Sequence, residues 1–492
     1  MEAPVREDHE YPDMVADTDQ ATYRIAALLG EGGQGAVFRT CDNNVAVKLM
    51  FEKDVRVAGD LQARMVQMEA RPLWNWPISR LIAVLRPGST RTGTYSGYVM
   101  DLRDSTEAML TLVGPPRTPK TFKELKEWYH IGSGGLRRRL ILLARAAETL
   151  AWLNGLPFVY ADPSPNNILI PQNHADEDVW LIDPDNIGLA RRPKAAAGIG
   201  TPGAVTAFTP GYAAPEIFAK NLPATTLSDR FAFAVVAFQV LTLGHPYVGD
   251  EVNDSPPDVE QEAYRGEWPY IDHPTDRRNE RTTGLPRGRL LDAVLRMLAQ
   301  RTFVDGRDDP LQRPSLGAWA EGLRRAADMT LPCPRCRANF YPFAGASEPV
   351  KECVWKCGAP RTGFAYMNVR TWIAPFDKPD GSRWEGGLPT QPSHANAVVS
   401  PEGLMVTRRH AVAGSFYDRH EKLMEVRYEH DGLLLRPLVP GFSILVGDKP
   451  LAGTEKVRWR LTAAGTRFIG PVRFGPLSED HRIATFFDYP AP

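Results

Sequence analysis

The sequence is short of cysteine and of long apolar runs, and each shortage excludes a class of protein. Five cysteines in 492 residues, most of them clustered late in the chain, are too few for a disulfide framework and favour a reducing compartment. The longest apolar run, Phe231 to Leu243, is shorter than the roughly 20 residues that a bilayer-spanning helix needs. We therefore expect a cytoplasmic protein that does not enter a membrane, with this run as a buried helix.

An excess of charge of one sign is also missing. The formal net charge is −1, so no global field would draw the protein to nucleic acid or to an anionic membrane. The local basic run Arg137-Arg138-Arg139 is expected to be a solvated helix face. The first residues, from Met1 to Glu10, are acidic and polar, which is not typical of a secretory signal. Neither nucleic acid nor a membrane is therefore an expected partner.

What the chain does contain predicts an α+β protein with about two to four domains. Changes in composition predict a disordered tail at 1–20, a mostly β region at 21–105, a helical region at 106–328, a cysteine-rich module at 329–363 and a β-rich domain at 364–492. Apolar residues from Leu136 to Leu153 recur at helical spacing and predict one long helix. Residues 249–285 are rich in proline and charge and are expected to form a surface insert.

Three polar residues stand beside short apolar runs in the middle of the chain. Asp162 and Asn167 occupy a stretch in which Pro163 and Pro165 exclude a helix, so both should lie on a stiff loop. Asp183 ends a second apolar run. Phosphoryl transfer needs one carboxylate to orient the attacking hydroxyl, and an amide and a carboxylate to hold Mg²⁺ on the nucleotide phosphates. The three residues therefore predict a phosphoryl-transfer site.

A glycine-rich turn and a lysine stand near the start of the chain. The pattern G-x-G-x-x-G-x-V lies between two strand-like runs and is formed by Gly30, Gly32, Gly33, Gly35 and Val37. Glycines let the backbone approach phosphate oxygens and offer N–H donors, although a plain flexible hairpin explains this motif alone better. Lys48 follows an apolar strand and would neutralise the α- and β-phosphates, unless it points outward into solvent.

The order of these motifs resembles that of protein kinases over the range from about Tyr23 to about Leu323. The resemblance implies a bilobal kinase fold that uses ATP and Mg²⁺ and phosphorylates serine or threonine of protein substrates. It implies that Asp162 is the catalytic aspartate and that Asn167 and Asp183 are magnesium ligands.

The same resemblance implies the remaining parts of the nucleotide site. Lys48 would be the lysine on the phosphates, and the backbone at Met100 and Asp101 would contact adenine. Kinases also pair this lysine with a helical carboxylate, for which Glu69 is preferred here and Asp60 is a close alternative.

The run from Phe208 to Glu216 resembles the kinase substrate-binding loop, which ends in Ala-Pro-Glu. The resemblance places Thr209 near the catalytic aspartate and pairs Glu216 with Arg313. Asp229 begins the buried helix, where it could cap the helix, bind the catalytic-loop backbone, or do both. Small-molecule antibiotic kinases lack this loop, so it argues for protein substrates.

Several residues depart from the kinase pattern. Tyr160 and Ala161 replace the usual His-Arg, so the loop is of the non-RD type and offers no arginine to an activation-loop phosphate. Ser164 stands where Ser/Thr kinases place a lysine. Pro184 and Asp185 replace Phe-Gly after the metal-binding aspartate, and Asp185 could assist as a magnesium ligand.

Four late cysteines form two short knuckles at zinc-ribbon separation, namely Cys333, Cys336, Cys353 and Cys357. Four thiolates in a tetrahedral array suit structural Zn²⁺ with no open position, and the weaker alternative is a redox or incidental cluster. The sequence therefore predicts a small zinc ribbon.

The last third contains short β-like runs separated by turns, and it resembles a forkhead-associated β-sandwich. Arg408, Arg409 and His410 form a phosphate-binding-like cluster there, for which a solvated turn is the preferred interpretation. The whole order resembles bacterial kinases of the tellurite-resistance type. That resemblance implies partners of two kinds, a von Willebrand factor A protein and a PP2C-type phosphatase.

These observations support three hypotheses of different classes. The first is an ATP- and Mg²⁺-dependent Ser/Thr protein kinase fused to a zinc ribbon and a β-rich domain. The second is a pseudokinase scaffold that binds nucleotide or a partner without transferring phosphate, which the departures from the kinase pattern motivate. The third is a binding module that acts through the zinc ribbon and the sandwich, with nucleic acid as its ligand, and the neutral charge opposes it.

Overall fold

The computed structural model describes residues 11–32, 35–42, 44–51, 76–90, 93–156, 158–190, 208–220, 222–343, 345, 348–388, 395–412 and 420–492. The chain divides into two compact units. Unit 1 comprises Met1–Thr118, Leu142–Gly284 and Met297–Ala320, and unit 2 comprises Pro119–Ile141, Leu285–Arg296 and Glu321–Pro492. The domain boundaries drawn from composition differ from this division and stay predictions.

The strands of unit 1 are β1 (Met14–Ala16), β2 (Thr22–Gly32), β3 (Gly35–Thr40), β4 (Val45–Phe51), β5 (Leu81–Val84), β6 (Gly88–Thr90), β7 (Gly93–Asp101), β8 (Thr106–Ala108), β9 (Phe158–Val159), β10 (Ile168–Pro171), β11 (Trp180–Leu181) and β12 (Gly188–Leu189). The strands of unit 2 are β13 (Leu331–Pro332), β14 (Asn339–Phe340), β15 (Phe364–Trp372), β16 (Phe376–Asp377), β17 (Arg383–Trp384), β18 (Ala397–Val399), β19 (Leu404–Thr407), β20 (Lys422–Glu429), β21 (Gly432–Pro437), β22 (Leu445–Val446), β23 (Lys449–Pro450), β24 (Glu455–Arg458), β25 (Arg460–Leu461), β26 (Arg467–Arg473) and β27 (His481–Tyr489).

The described α-helices are α1 (Phe122–Glu127), α2 (Gly135–Gly155), α3 (Pro215–Lys220), α4 (Thr226–Thr242), α5 (Asp250–Asn253), α6 (Pro257–Tyr264), α7 (Ala293–Gln300), α8 (Gly306–Asp308), α9 (Leu316–Asp328) and α10 (Arg408–Ala411). None of them combines the length and the apolar character that a bilayer span requires.

The first part of unit 1 is built on a seven-stranded antiparallel sheet. Its strands lie in the order β1-β2-β3-β4-β7-β5, and β6 pairs with β7. Side chains alternate between the two faces of a strand, so residues two apart in β4 share a face. Val47 and Leu49 of β4, Phe38 of β3 and Val99 of β7 are almost fully buried in one core on that face. This sheet carries the glycine-rich turn and the lysine strand.

Two long helices follow this sheet in the chain. Helix α4 is apolar on nearly all sides, as expected of a helix surrounded by other elements. It begins with a capping box, in which the hydroxyl oxygens of Thr225 and Ser228 each accept a hydrogen bond from the backbone N–H of the other residue. The long helix expected from Leu136 onward is present as α2. The segment 249–285 differs from the expected surface insert, because it forms α5 and α6 and contains residues that are less than 5% exposed, among them Tyr270.

Unit 2 contains two antiparallel sheets that share one hydrophobic core. The larger has the order β18-β15-β27-β26-β22-β23, with β25 paired to β26, and the smaller has the order β19-β20-β21-β24. Met367 and Phe486 of the larger sheet and Val426 and Leu433 of the smaller one are fully buried in that core. The forkhead-associated topology expected for this region stays a prediction.

The expected disordered tail at 1–20 is wrong in part. Residues Met14–Ala16 form β1, which pairs antiparallel with β2, and Val15 is 3% exposed. Residues 1–10 lie outside the described part of the chain. The apolar Val15 side chain completes the core beneath β2 and β3, which explains why this polar stretch is ordered.

Two predictions of solvated basic residues are also wrong. Arg138 and Arg139 are 7% and 0% exposed, and Arg139 stacks over the ring of Tyr129 at 4.2 Å. Arg409 and His410 are 6% and 2% exposed, where a solvated turn was expected. Arginine stems and guanidinium planes pack well against apolar and aromatic groups, so a basic run need not face water.

Candidate active site

The loop after β9 holds an aspartate and an asparagine against each other. Pro163 and Pro165 keep this stretch out of an α-helix, and a single 3-10 turn, Pro165–Asn167, brings Asn167 back toward Asp162. The Asn167 side-chain amide donates to the backbone oxygen of Asp162 at 3.0 Å and to its Oδ2 at 3.1 Å. Both side chains are more than nine-tenths buried, so the loop is fixed by its own contacts.

Thr209 completes the surroundings of the Asp162 carboxylate. Its backbone N–H donates to Oδ1 at 3.0 Å, and its hydroxyl donates to Oδ2 at 2.8 Å. Burial raises the pKa of Asp162, and the hydrogen bonds from Thr209 and Asn167 oppose that rise. Both carboxylate oxygens of Asp162 therefore accept a hydrogen bond from Thr209.

A fully buried aspartate, Asp229, holds the backbone of this loop through hydrogen bonds. Asp229 accepts hydrogen bonds from the backbone N–H of Tyr160 at 2.9 Å and of Ala161 at 3.0 Å, and from the Asn154 side chain at 2.9 Å. The N-cap of α4 is Thr225, so Asp229 does not serve as a simple cap. Ala161 has a φ of 68°, a left-handed conformation that a non-glycine residue rarely adopts. The Asp229 carboxylate stabilises that conformation by accepting hydrogen bonds from the N–H groups of Ala161 and of the residue before it.

Tyr160 ties this loop to the next one. Its hydroxyl donates to the backbone oxygens of Asn167, at 3.2 Å, and of Ile182. The Ile182 N–H donates to the same Asn167 oxygen at 3.0 Å. Asp183 follows with a φ of 56°, and the 3-10 turn Pro184–Asn186 begins directly after it. The buried tyrosine thus fixes the chain just before the turn that carries Asp183 and Asp185.

Lys48 meets the two carboxylates of that turn. Its Nζ lies 3.1 Å from Oδ2 of Asp183 and 3.3 Å from Oδ2 of Asp185. The residue is 3% exposed, so the outward, solvated lysine is excluded. Burial by itself lowers the pKa of Lys48, but Asp185 and Asp183 outweigh it and raise the pKa above the usual value. Burial also raises the pKa of Asp183, against the influence of Lys48.

Tyr98 is a residue of this cluster that the sequence did not reveal. It pairs with Lys48 across β7 and β4, and its hydroxyl donates to Oδ1 of Asp185 at 2.6 Å. The side chain is fully buried. Only the register between the two strands places this tyrosine opposite the lysine, and no local motif signals that register.

The glycine-rich turn lies between β2 and β3, next to the lysine strand. Gly30 and Gly32 belong to β2 and Gly35 and Val37 to β3, while Gly33 lies outside the described residues. Gly35 has a φ of 139°, and a Cβ there would lie 2.1 Å from the Leu49 backbone oxygen. Glycine is therefore required at 35 for β3 to approach β4.

The strand end expected to contact adenine is held by side-chain contacts. Met100 is 5% exposed, and Asp101 ends β7. The Asp101 carboxylate accepts two hydrogen bonds from the Arg80 guanidinium, at 2.8 and 2.9 Å. The two candidates for the helical lysine partner, Glu69 and Asp60, lie outside the described residues.

Glu216 and Arg313 form a buried ion pair. The Arg313 guanidinium donates to both Glu216 carboxylate oxygens, at 2.7 and 2.8 Å, and to the backbone oxygens of Gly306 at 2.7 Å and Leu227 at 3.0 Å. The Arg313 side chain is fully buried. The pair joins α3, which follows the loop that contains Thr209, to α4 at Leu227 and to α8 at Gly306.

Unit 2 contains a second group of functional side chains, the four-cysteine cluster. The sulfur atoms of Cys333, Cys336, Cys353 and Cys357 all lie within 4.8 Å of one another, and two of the pairs are 3.5 and 3.7 Å apart. Tetrahedral coordination with metal–sulfur bonds of about 2.3 Å would separate sulfurs by roughly 3.8 Å. These cysteines could therefore hold a metal ion.

Trp355, between two of these cysteines, packs into the same unit. Its ring lies 4.4 Å from that of His130, and its indole N–H donates to the Asn339 oxygen at 3.3 Å. The nearby Tyr341 hydroxyl donates to the Leu290 oxygen at 3.0 Å. The cysteine module therefore packs directly against residues from the middle of the chain.

Comparison with known proteins finds bacterial kinases among the relatives of this chain. No protein-family model matches the chain. The DNA damage-responsive serine/threonine-protein kinase RqkA of Deinococcus radiodurans is 29% identical over 232 residues, which are 46% of this chain and 31% of that protein. Serine/threonine-protein kinase PknE of Mycobacterium tuberculosis is 28% identical over 242 residues, which are 48% of this chain and 37% of that protein.

A third relative, serine/threonine-protein kinase PknD of Chlamydia pneumoniae, is 25% identical over 241 residues, 46% of this chain and 24% of that protein. The chain spans about a third of the length of the first two relatives, and less of the third. About half of the chain is thus homologous to bacterial Ser/Thr protein kinases. The mixed α and β architecture fits the α+β kinase-like fold that this homology implies.

Proposed function

We propose that the chain is a divergent Ser/Thr protein kinase that transfers the γ-phosphoryl group of Mg·ATP to protein substrates. The observation that carries the proposal is the convergence of Lys48, Asp183, Asn167 and Asp162 in one buried site of unit 1. The homology of about half of the chain to bacterial Ser/Thr kinases supports it.

The residues present suit a magnesium nucleotide. Mg²⁺ prefers carboxylate and amide oxygens, which Asp183 and Asn167 supply, and Mg²⁺ when bound neutralises charge on the phosphates. Lys48, held in the charged form by its carboxylate neighbours, would bind the α- and β-phosphates. The backbone of the glycine-rich turn would cover the phosphates, and Met100 and Asp101 would flank adenine.

Asp162 would orient the acceptor hydroxyl and take its proton late in the transfer. Thr209 holds both of its carboxylate oxygens, so the orientation of the carboxylate is set before a substrate arrives. Glu216 and Arg313 would support the substrate loop, and Asp229 would support the catalytic loop. Catalysis of this kind consists of positioning and charge neutralisation, which separate residues can supply separately.

The four-cysteine cluster would hold structural Zn²⁺. Its sulfur separations are close to those of a tetrahedral thiolate site, and four protein ligands leave no position open for substrate. We further propose a cytoplasmic protein whose partners include its protein substrates, a von Willebrand factor A protein and a PP2C-type phosphatase.

Two substitutions test the proposed kinase activity. Asp162→Asn should keep Mg·ATP affinity near that of the wild type while transfer from [γ-³²P]ATP falls by about 10²–10⁴-fold. Asp183→Asn should weaken Mg²⁺-dependent nucleotide binding as well as transfer. Asp176→Asn, the same change on an exposed loop, is the matched control and should leave both unchanged.

Three outcomes would contradict this assignment. A wild type that binds Mg·ATP but phosphorylates no protein, itself included, would favour the pseudokinase scaffold. A silent Asp162→Asn variant would do the same. If Asp183→Asn changes neither binding nor transfer while Asp185→Asn abolishes metal binding, then the metal ligand is Asp185 and not Asp183.

A further inference from the structure

Lys48 has two carboxylate neighbours that come from one short turn. Asp183 lies 3.1 Å and Asp185 3.3 Å from Nζ, and both carboxylates are at least four-fifths buried. A buried ammonium needs a partner to remain charged. If Asp183 turns to a magnesium ion, Asp185 is the carboxylate that still faces Lys48 among the residues that the structure describes.

The backbone of the turn holds Asp185 in position. Pro184 restricts the first residue of the 3-10 turn, the Asn186 N–H donates to the Asp183 oxygen at 3.0 Å, and the Ile187 N–H donates to the Pro184 oxygen at 3.0 Å. Asp185 therefore has little freedom to move along the turn.

Tyr98 fixes the Asp185 side chain as well. Its hydroxyl donates to Oδ1 at 2.6 Å, within the range of the short and strong hydrogen bonds that hydroxyls make to carboxylates. With the carboxylate held in this way, Nζ of Lys48 lies 3.4 Å from Oδ1 and 3.3 Å from Oδ2. Tyr98 is the residue opposite Lys48 where β4 pairs with β7, so Lys48, Asp185 and Tyr98 lie together in one cluster.

We infer that Asp185 and Tyr98 are positioning residues that hold Lys48 toward the nucleotide phosphates and leave Asp183 to the metal ion. This assigns to Asp185 the duty that the sequence suggested for Glu69 or Asp60, and replaces its expected duty as a magnesium ligand. The inference rests on the proposed function, in which Lys48 binds phosphates.

The test measures binding rather than turnover. Calorimetry would give the dissociation constants of ATP and of adenosine, each with Mg²⁺ and with EDTA, and the Mg²⁺ concentration that half-saturates ATP binding. The variants are Asp185→Asn and Tyr98→Phe, which keeps the buried ring. Tyr95→Phe is the matched control, because it removes a hydroxyl from the same strand without touching the lysine group.

Asp185→Asn and Tyr98→Phe should each weaken ATP binding by about tenfold, the size expected when a hydrogen bond to a charged group is lost. Adenosine binding and the half-saturating Mg²⁺ concentration should stay within about twofold of wild type, because only the lysine contact to phosphate changes. Tyr95→Phe should match the wild type throughout.

Several results would overturn the inference. One is a higher Mg²⁺ requirement for Asp185→Asn with no effect of Tyr98→Phe, since Asp185 would then be a metal ligand. Another is an equal loss of ATP and adenosine affinity, which would indicate a distorted pocket. A third is that Glu69→Gln weakens ATP binding while Asp185→Asn leaves ATP binding unchanged. A wild type that binds no ATP would instead refute the proposed function itself.

Discussion

The ion pair between Arg313 and Glu216 should be one of the costliest single contacts to break. Arg313→Met keeps most of the side-chain volume but removes the guanidinium, which is fully buried and donates to Glu216 and to the backbone oxygens of Gly306 and Leu227. Breaking a buried pair by removing one partner costs about 3–5 kcal/mol. Glu216 is 22% exposed and can regain some water, so we expect about 3 kcal/mol, lost from the free energy of unfolding in urea.

The chain supplies its own control for this measurement. Arg278 binds both oxygens of Asp276, but its side chain is 74% exposed, so Arg278→Met should leave the free energy of unfolding almost unchanged. Glu216→Leu should cost much less in the Arg313→Met background than in the wild type, because its partner is already gone. Equal costs for Arg313→Met and Arg278→Met would refute the reasoning that burial, and not geometry alone, makes the first pair strong.

Three further predictions concern the metal, the activation loop and pH. The purified protein should carry about one Zn²⁺ per chain, which Cys333→Ser should release; metal analysis without zinc, and four thiols that alkylate in the native state, would contradict this. Alanine at Thr201 and Thr206, both outside the described residues, should leave phosphoryl transfer within a few-fold of wild type because Ala161 cannot bind a phosphate. A hundredfold loss, about 2.7 kcal/mol of barrier, would show that the loop is regulated after all. Burial raises the pKa of Asp229 to about 6 from an unfolded value near 3.9. Protonation of Asp229 therefore favours the folded state, and this contribution to the free energy of unfolding is complete below about pH 4 and is lost as the pH rises through 6. The stability deficit of Asp229→Asn relative to wild type should therefore be larger at pH 5 than at pH 7.5 in urea unfolding, and equal deficits would exclude this titration.

The sequence predicted the local parts of the candidate site well, for a physical reason. Asp162 and Asn167 are joined by a stretch whose prolines leave few conformations, so their proximity follows from the chain itself. The buried helix α4 and the long helix α2 likewise follow from their apolar patterns. The order of the motifs is therefore enough to predict a bilobal fold without knowledge of any long-range contact.

Long-range contacts between polar groups could not be predicted in this way. Tyr98 reaches Asp185 only because two strands adopt one register, and a shift by one residue would turn its side chain to the other face. The sequence predicts solvated side chains for Arg139 and Arg409, because a charged residue is normally exposed to water. Arg139 is instead covered by the ring of Tyr129, and Arg409 pairs with the carboxylate of Asp328, which is distant in sequence.

The packing of Trp355 has a practical consequence for recombinant work on the part of the chain that precedes the four cysteines. A truncated protein that ends at Asp328 appears natural from composition, yet it would cut through unit 2. His130 would lose the indole that covers it, and the Leu290 oxygen would lose the Tyr341 hydroxyl. An apolar surface exposed in this way promotes aggregation. Poor solubility of such a fragment would then reflect a missing structural neighbour and would say nothing about whether the kinase-like half is folded in the cell.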